Sequence, residues 1–194
     1  HGNDAQDGGG IYNLGALTGE YSTLSGNRTH SNREADGGAI YSSGTLSLTN
    51  STLSGNTAGN GAGLYNAGEA DLAHTTVAGN WIHHDEDPWG NSYPIGNGTG
   101  VHNSNTLRLG NTLMSDDCAG DPVTSLGYNL DRDGSCNLTE ASDLPNTDPV
   151  IGPLQDNGGP TETHPLGAGS PAIDGGSCQA TGTVAVDQRG VARP

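Results

Sequence analysis

One short text is written four times in the first 115 residues of this chain, and that repetition limits its folds more than anything else in it. Gly9-Gly10-Ile11-Tyr12-Asn13 leads to Ser22-Thr23-Leu24-Ser25-Gly26-Asn27, and Gly38-Ala39-Ile40-Tyr41-Ser42 leads to Ser51-Thr52-Leu53-Ser54-Gly55-Asn56. Ala62-Gly63-Leu64-Tyr65-Asn66 leads to Thr75-Thr76-Val77-Ala78-Gly79-Asn80, and a worn copy runs from Thr99-Gly100-Val101-His102-Asn103 through Leu107, Leu109 and Leu113. The offsets are 29 residues from Ile11 to Ile40, 24 from Ile40 to Leu64 and 37 from Leu64 to Val101. The variation sits between units, at Arg28 to Asp36 and Trp81 to Asn97. Self-similarity with insertions confined to one place is the mark of stacked repeats.

The pattern inside a unit selects strands. Leu46 and Leu48 alternate with Thr45, Ser47 and Thr49, and no apolar spacing is helical. Ser43-Gly44, Asn50 and Gly55-Asn56 supply corners, because Gly and Asn accept the left-handed backbone of a sharp turn. Three short strands and three corners therefore make one coil of a single-stranded parallel β-helix, an all-β solenoid of about five to seven coils. Ile11, Ile40, Leu64 and Val101 are expected to stack on one inward face, and Leu24, Leu53, Val77 and Leu113 on another. Asn27, Asn56 and Asn80 are expected to form a ladder at a corner, each side chain bridging its neighbours' backbone. The chain reads as one domain, with repeats over 1–117 and further coils plus an irregular C-terminal cap over 118–194. That cap would shield the strand edges at one end of the stack.

Composition fits a thin core. Only 30% of residues are apolar, Phe is absent, and Gly supplies 33 residues and Pro 10. Such values elsewhere suggest disorder, but a β-helix needs few aliphatic side chains per coil and spends the rest on turns. The net charge of −16, with six Arg and no Lys, argues against nucleic acid or an anionic bilayer as partner, since both demand clustered cations. The acidic residues are scattered, which reads as a solvated surface or as divalent-cation binding. Cys118 and Cys136 are expected to pair, leaving Cys178 over, and an odd Cys suggests a missing or intermolecular partner. With no signal peptide, no apolar span and a disulfide, the chain reads as a mature product placed outside the cytoplasm, with no membrane insertion.

After Cys118 the text changes to Ser125-Leu126-Gly127-Tyr128-Asn129-Leu130-Asp131, then Asp148-Pro149-Val150-Ile151-Gly152-Pro153-Leu154-Gln155-Asp156-Asn157-Gly158-Gly159-Pro160-Thr161, Gly169-Ser170-Pro171-Ala172-Ile173-Asp174 and Asp187-Gln188-Arg189-Gly190. In this order, behind the repeats, these phrases resemble the bacterial right-handed β-helix surface proteins of the choice-of-anchor type. The front repeats also resemble polymorphic outer-membrane-protein repeats, although the Phe typical of those is missing. The resemblance implies a secreted bacterial cell-surface protein with a right-handed β-helix, and it implies no activity.

Several residues are candidates for chemistry. Asn129, Asp131, Asp133, Gly134 and Glu140 fall at positions 1, 3, 5, 6 and 12 of a loop like those that wrap Ca²⁺ in oxygen ligands. Asn at the first position, Cys136 inside the loop and the lack of flanking helices favour an Asp-Gly turn held by a disulfide. The insertion carries His83-His84-Asp85-Glu86-Asp87, a metal-ligating set or a solvated acidic loop, and Trp81, Trp89 and Tyr93, a partner- or sugar-contacting surface or a means of folding the loop onto the wall. The sequons at Asn27, Asn50, Asn97 and Asn137 read as corner chemistry where they fall in the repeat.

Two functions compete. The first is a non-catalytic extracellular structural or adhesive module that needs no cofactor, binds surface carbohydrate or its own copies, and assembles into filaments. The second is a polysaccharide lyase or hydrolase working in a groove around Arg108, with Asp71, Asp116 and Asp117 as its acids. The first is preferred, because the Gly-His-Gly and Arg-x-Lys signatures of polygalacturonase-like enzymes are absent.

Overall fold

The computed structural model describes residues 1–30, 35–177 and 184–193, and all regular structure among them is β. The repeats become passes through four parallel sheets. The first pass lays down β1 (Asp4–Ala5), β2 (Ile11–Asn13), β3 (Ala16–Glu20) and β4 (Thr23–Ser25). The second supplies β5 (Arg28–Thr29), β6 (Ile40–Ser42), β7 (Thr45–Thr49) and β8 (Thr52–Ser54), and the third β9 (Thr57–Ala58), β10 (Leu64–Asn66), β11 (Glu69–Ala73) and β12 (Thr76–Ala78). The fourth begins with β13 (Trp81–Ile82), makes an excursion into the antiparallel pair β14 (His84–Glu86) and β15 (Ser92–Pro94), and returns with β16 (Val101–Asn103), β17 (Thr106–Gly110) and β18 (Leu113–Met114). A fifth leaves β19 (Cys118–Gly120), β20 (Thr124–Ser125) and β21 (Leu130–Asp131), followed by β22 (Leu144–Pro145).

The strand orders are β1-β5-β9-β13, β2-β6-β10-β16-β19, β3-β7-β11-β17-β20 and β4-β8-β12-β18-β21-β22, here called sheets A to D. Each full pass visits four sheets, where the sequence pattern predicts three. The extra two-residue strands of sheet A hold no apolar alternation, so nothing in a hydrophobic pattern marks them. Both insertions follow sheet A strands, between β5 and β6 and between β13 and β16.

Register is set by the offsets of the repeat. Ile11, Ile40, Leu64, Val101 and Cys118 face one another along sheet B. Leu17, Leu46, Ala70 and Leu107 form one row of sheet C, and Gly19, Leu48, Leu72 and Leu109 a second. In sheet D, Leu24, Leu53 and Val77 are followed by Met114, while Leu113 lies opposite Thr76, one residue off the expected row. Isolated from the ends, Ile40, Leu53, Leu64 and Val101 are completely buried, each contributing about 2 kcal/mol by removal from water.

The two ends differ. At the first pass Ile11, Leu17 and Leu24 are only partly buried. At the other end Cys136 and Leu138 join the core, so the disulfide-closed segment after β21 shields it. Beyond that the tail departs from the expected end cap. It turns back and lies along the outer face of sheet D, where the Glu162 carbonyl accepts from Thr23 Oγ1 and Gln188 Oε1 accepts from Thr52 Oγ1. No helix among the described residues is long and apolar enough to cross a membrane.

Candidate functional site

Side chains at equivalent positions in a parallel stack must meet, so a polar residue buried in one pass needs a partner in the next. Asn27, Asn56 and Asn80 solve this at the corner after sheet D. Each Nδ2 donates to the Oδ1 of the next amide, from Asn27 to Asn56 at 3.0 Å and from Asn56 to Asn80 at 2.9 Å. Asn56 and Asn80 also donate to the carbonyls of Leu24 and Leu53. The row begins at Asn3 and ends at Asp116, whose Oδ2 accepts from Asn80 N and Nδ2. A carboxylate terminates the row because it accepts without having to donate. Asn129 is treated the same way, its N and Nδ2 donating to Asp143 Oδ1. Among the described residues no buried side-chain oxygen or nitrogen is left without a partner.

The same stacking arranges an aromatic row on the outer face of sheet B, outside both the apolar stacks and the candidate metal spacings of the sequence. Tyr12, Tyr41, Tyr65 and His102 occupy one repeat position, and their ring centroids follow at 4.7, 5.4 and 4.9 Å with planes within 7° of parallel. Their identical place in Ile-Tyr-Asn, Ile-Tyr-Ser, Leu-Tyr-Asn and Val-His-Asn is the signal that would have found them. Because the rings cover each other's faces, the row presents edges and hydroxyls to solvent, and Tyr12, 52% exposed, keeps one face open. A second row runs beside it. Asp7 Oδ1 accepts from Asp36 N, Asn60 Nδ2 donates to Asp36 Oδ1, Asn60 Oδ1 accepts from Asn97 N, and Asn97 Oδ1 meets His102 Nδ1 at 2.6 Å. Burial, with Asp7 adding repulsion, raises the Asp36 carboxyl above its usual range. Burial also lowers the His102 imidazole, so this edge carries a neutral ring at neutral pH.

The residues singled out from sequence fall in separate places. Asn129 is buried and commits its amide to Leu109 O, Ser125 Oγ and Asp143, and its Oδ1 accepts from Thr112 N. Asp131 is fully buried opposite Met114, its Oδ2 accepting from Cys136 N, while Asp133 Oδ1 accepts from Ser135 N. Glu140 is exposed. These groups build an Asp-Gly turn closed by the Cys118–Cys136 disulfide, and among the described residues no three His, Cys, Asp or Glu side chains form a metal-ligating group. Cys178 lies outside the described residues.

In the insertion, His83 is buried with Nε2 2.9 Å from Thr29 O, and its pKa is lowered by burial. His84 is exposed and meets Ser92 Oγ. The neighbours therefore point to different environments. Trp81 and Trp89 are 66% and 84% exposed and Tyr93 39%, which leaves their rings outside the core. Arg108 on sheet C pairs with Asp71 at 3.0 Å, both partly exposed. Asp116 ends the amide row and Asp117 holds Thr99, so neither joins Arg108.

A hollow lies elsewhere, between the returning tail and sheet D. Its volume is about 670 Å³, and a second of about 540 Å³ adjoins it through His74, Asn111, Leu113, Asp187, Arg189 and Arg193. His74 takes positive φ, as do Tyr21, Asn50, Asn111 and Tyr128 at the matching corner of other passes. Burial, then the nearby Arg193 charge, lowers His74 to about 4.

Comparison with protein-family models, curated proteins and solved structures finds no match to this chain.

Proposed function

We propose that this chain is a right-handed parallel β-helix of the bacterial cell surface, a non-catalytic structural or adhesive module that binds carbohydrate and assembles through its ends. The observation that carries the reading is the in-register ladder. The parallel sheets, visited in the same order by each pass, are what a solenoid requires, and the rows of like side chains stiffen it along its length. Polar groups are used to join neighbouring passes, whereas a hydrolase of the competing class needs two carboxyl groups converging across a sugar. The choice-of-anchor resemblance supports a secreted, surface-exposed setting, and the acidic surface fits a soluble extracellular chain.

The exposed edge of the tyrosine row, flanked by Asp7, Asp36 and Asn97, is the adhesive face, offering hydroxyl, carboxyl and amide groups to sugar hydroxyls. The strands of the first pass are the outer members of all four sheets, and their free backbone groups are where a second copy adds.

Light scattering and negative-stain imaging, with calcium, with chelator and with reductant, test assembly, and a panel of surface polysaccharides tests retention against release of new reducing ends. Filaments together with retention of an intact polymer are expected. A monomer under every condition removes the assembly claim, and release of reducing ends replaces the module with the enzyme.

A further inference from the structure

The hollow between the tail and sheet D has the size of a ligand site, since small-molecule pockets run from about 300 to 1,000 Å³. It is amphipathic. Leu113, Leu130, Leu144 and Tyr128 line it together with Asn111, Asp174, Arg189 and Arg193. Two of the six Arg in a chain of net charge −16 are therefore placed in one cleft. Arg189 is neutralised by Asp187 at 2.6 Å. Arg193 is different. Its Nη2 donates to the neutral Asn50 amide at 2.8 Å and its Nε to Val186 O at 3.3 Å, and no carboxylate among the described residues pairs with it. The backbone at His74 and Tyr128 adds a second observation. Both line the cleft in the left-handed conformation, which costs a side chain without Asn's local hydrogen bonding about 1 kcal/mol.

We propose that this cleft is a binding site for an acidic sugar, a uronate whose carboxylate meets the Arg193 guanidinium while its ring lies against Tyr128 and the adjoining leucines. Guanidinium and carboxylate match as a planar fork, which a neutral hexose cannot use. The neutral state of His74 leaves Arg193 as the cation the ligand meets at neutral pH. This site is separate from the tyrosine edge on sheet B, so adhesion there and binding here stand or fall independently.

The test is calorimetric titration of the protein with D-galacturonate and trigalacturonate, with D-galactose as the neutral control. Saturable binding of the acidic sugars with Kd below about 1 mM, at least about tenfold tighter than galactose and weakened by salt, is the expected result. Arg193→Gln should weaken it about tenfold or more. Because that change also loosens the tail at Asn50, Ala172→Trp serves as the second variant. Ala172 lines both hollows, and a bulky ring there narrows them without removing a side-chain hydrogen bond, so binding should weaken with the circular dichroism spectrum unchanged. No saturation by either acidic sugar, equal binding of galactose, or unaltered binding by the folded Ala172→Trp protein overturns the proposal.

Discussion

The repeated passes and the returning tail use the same residue types and attach them in opposite ways. Within the passes a side chain meets its own kind above and below, so the Asn27–Asn56–Asn80 row and the Leu24–Leu53–Val77 row each spread one solution over several strands. The tail makes each of its contacts once. Gln188 reaches Thr52, Thr23, Ser22 O and Thr161, His164 reaches Ser54, and Arg193 reaches Asn50. The tail's anchors Asn50, Thr52 and Ser54 are buried as well, but each of these contacts is made once and no neighbouring pass repeats it. The passes should therefore unfold together and the tail should open first, at lower free energy.

The sharpest attack on the first half of that contrast is Asn56→Ala. Asn56 is completely buried, and its loss strands Asn27 N and Nδ2, takes a donor from the Leu24 carbonyl, and leaves Asn80 Oδ1 with the backbone N of residue 56 alone. Urea denaturation should show a loss of about 4 kcal/mol, a large share of the stability of any domain. Next comes a pair of glycines. A Cβ on Gly61, at φ 55°, would lie 2.4 Å from the Leu64 carbonyl oxygen, so Gly61→Ala should cost about 3 kcal/mol. Gly79, at φ 70°, has nothing within 4 Å, and its alanine variant should lose only the conformational part, about 1 kcal/mol. Equal losses at the two sites would mean that backbone conformation alone sets the corners.

The second half is tested by Gln188→Ala. The side chain makes four tail-to-sheet and tail-to-tail bonds, yet its removal should lower the main unfolding transition by no more than about 1 kcal/mol. Hydrogen exchange at Gln155 and Thr163, which bridge within the tail, should accelerate well before exchange in β7 and β11. Uniform acceleration across both would show that tail and passes form one cooperative unit.

How much of this was legible follows from what a pattern can carry. The offsets between Ile11, Ile40, Leu64 and Val101 give the register of sheet B directly, because in a parallel stack sequence offset and pairing are the same quantity. The amide row was legible for the same reason. The slip at Leu113, where Met114 faces Val77, comes where the fourth copy has lost its Gly-Asn corner and the frame has no anchor. The tail's course was not legible at all. Gln188 and Thr52 are 136 residues apart, and nothing local in either announces the other. The acidic loop reads two ways for an instructive reason, since alternate Asp and Asn residues suit a calcium loop and a corner equally, and Asn129 lies in line with the buried corner hydroxyl of Thr112.

Asp116 allows the finest distinction, because it closes an amide row with a charge. Burial raises its pKa, and the bonds from Asn80 and Gly79 only partly offset this. The folded state then holds the proton more tightly than the unfolded chain, so this group's contribution is fully present below the ordinary carboxyl value of 3.8 and is lost as pH rises through the raised folded value. His74 works against it. Its depressed value of about 4 means stability is lost as pH falls from 6.5 toward 4, so the pH profile of the native protein blends the two. Asp116→Asn separates them. The variant keeps an acceptor for Asn80 and forgoes the bond to Gly79 N, an offset that does not titrate. Urea midpoints taken between pH 7 and pH 4 should show the native protein gaining on the variant as pH falls, the smallest effect of the series. A constant difference across that range would mean that the row ends on a carboxylate for geometry alone, its charge already balanced by the amide dipoles aligned behind it.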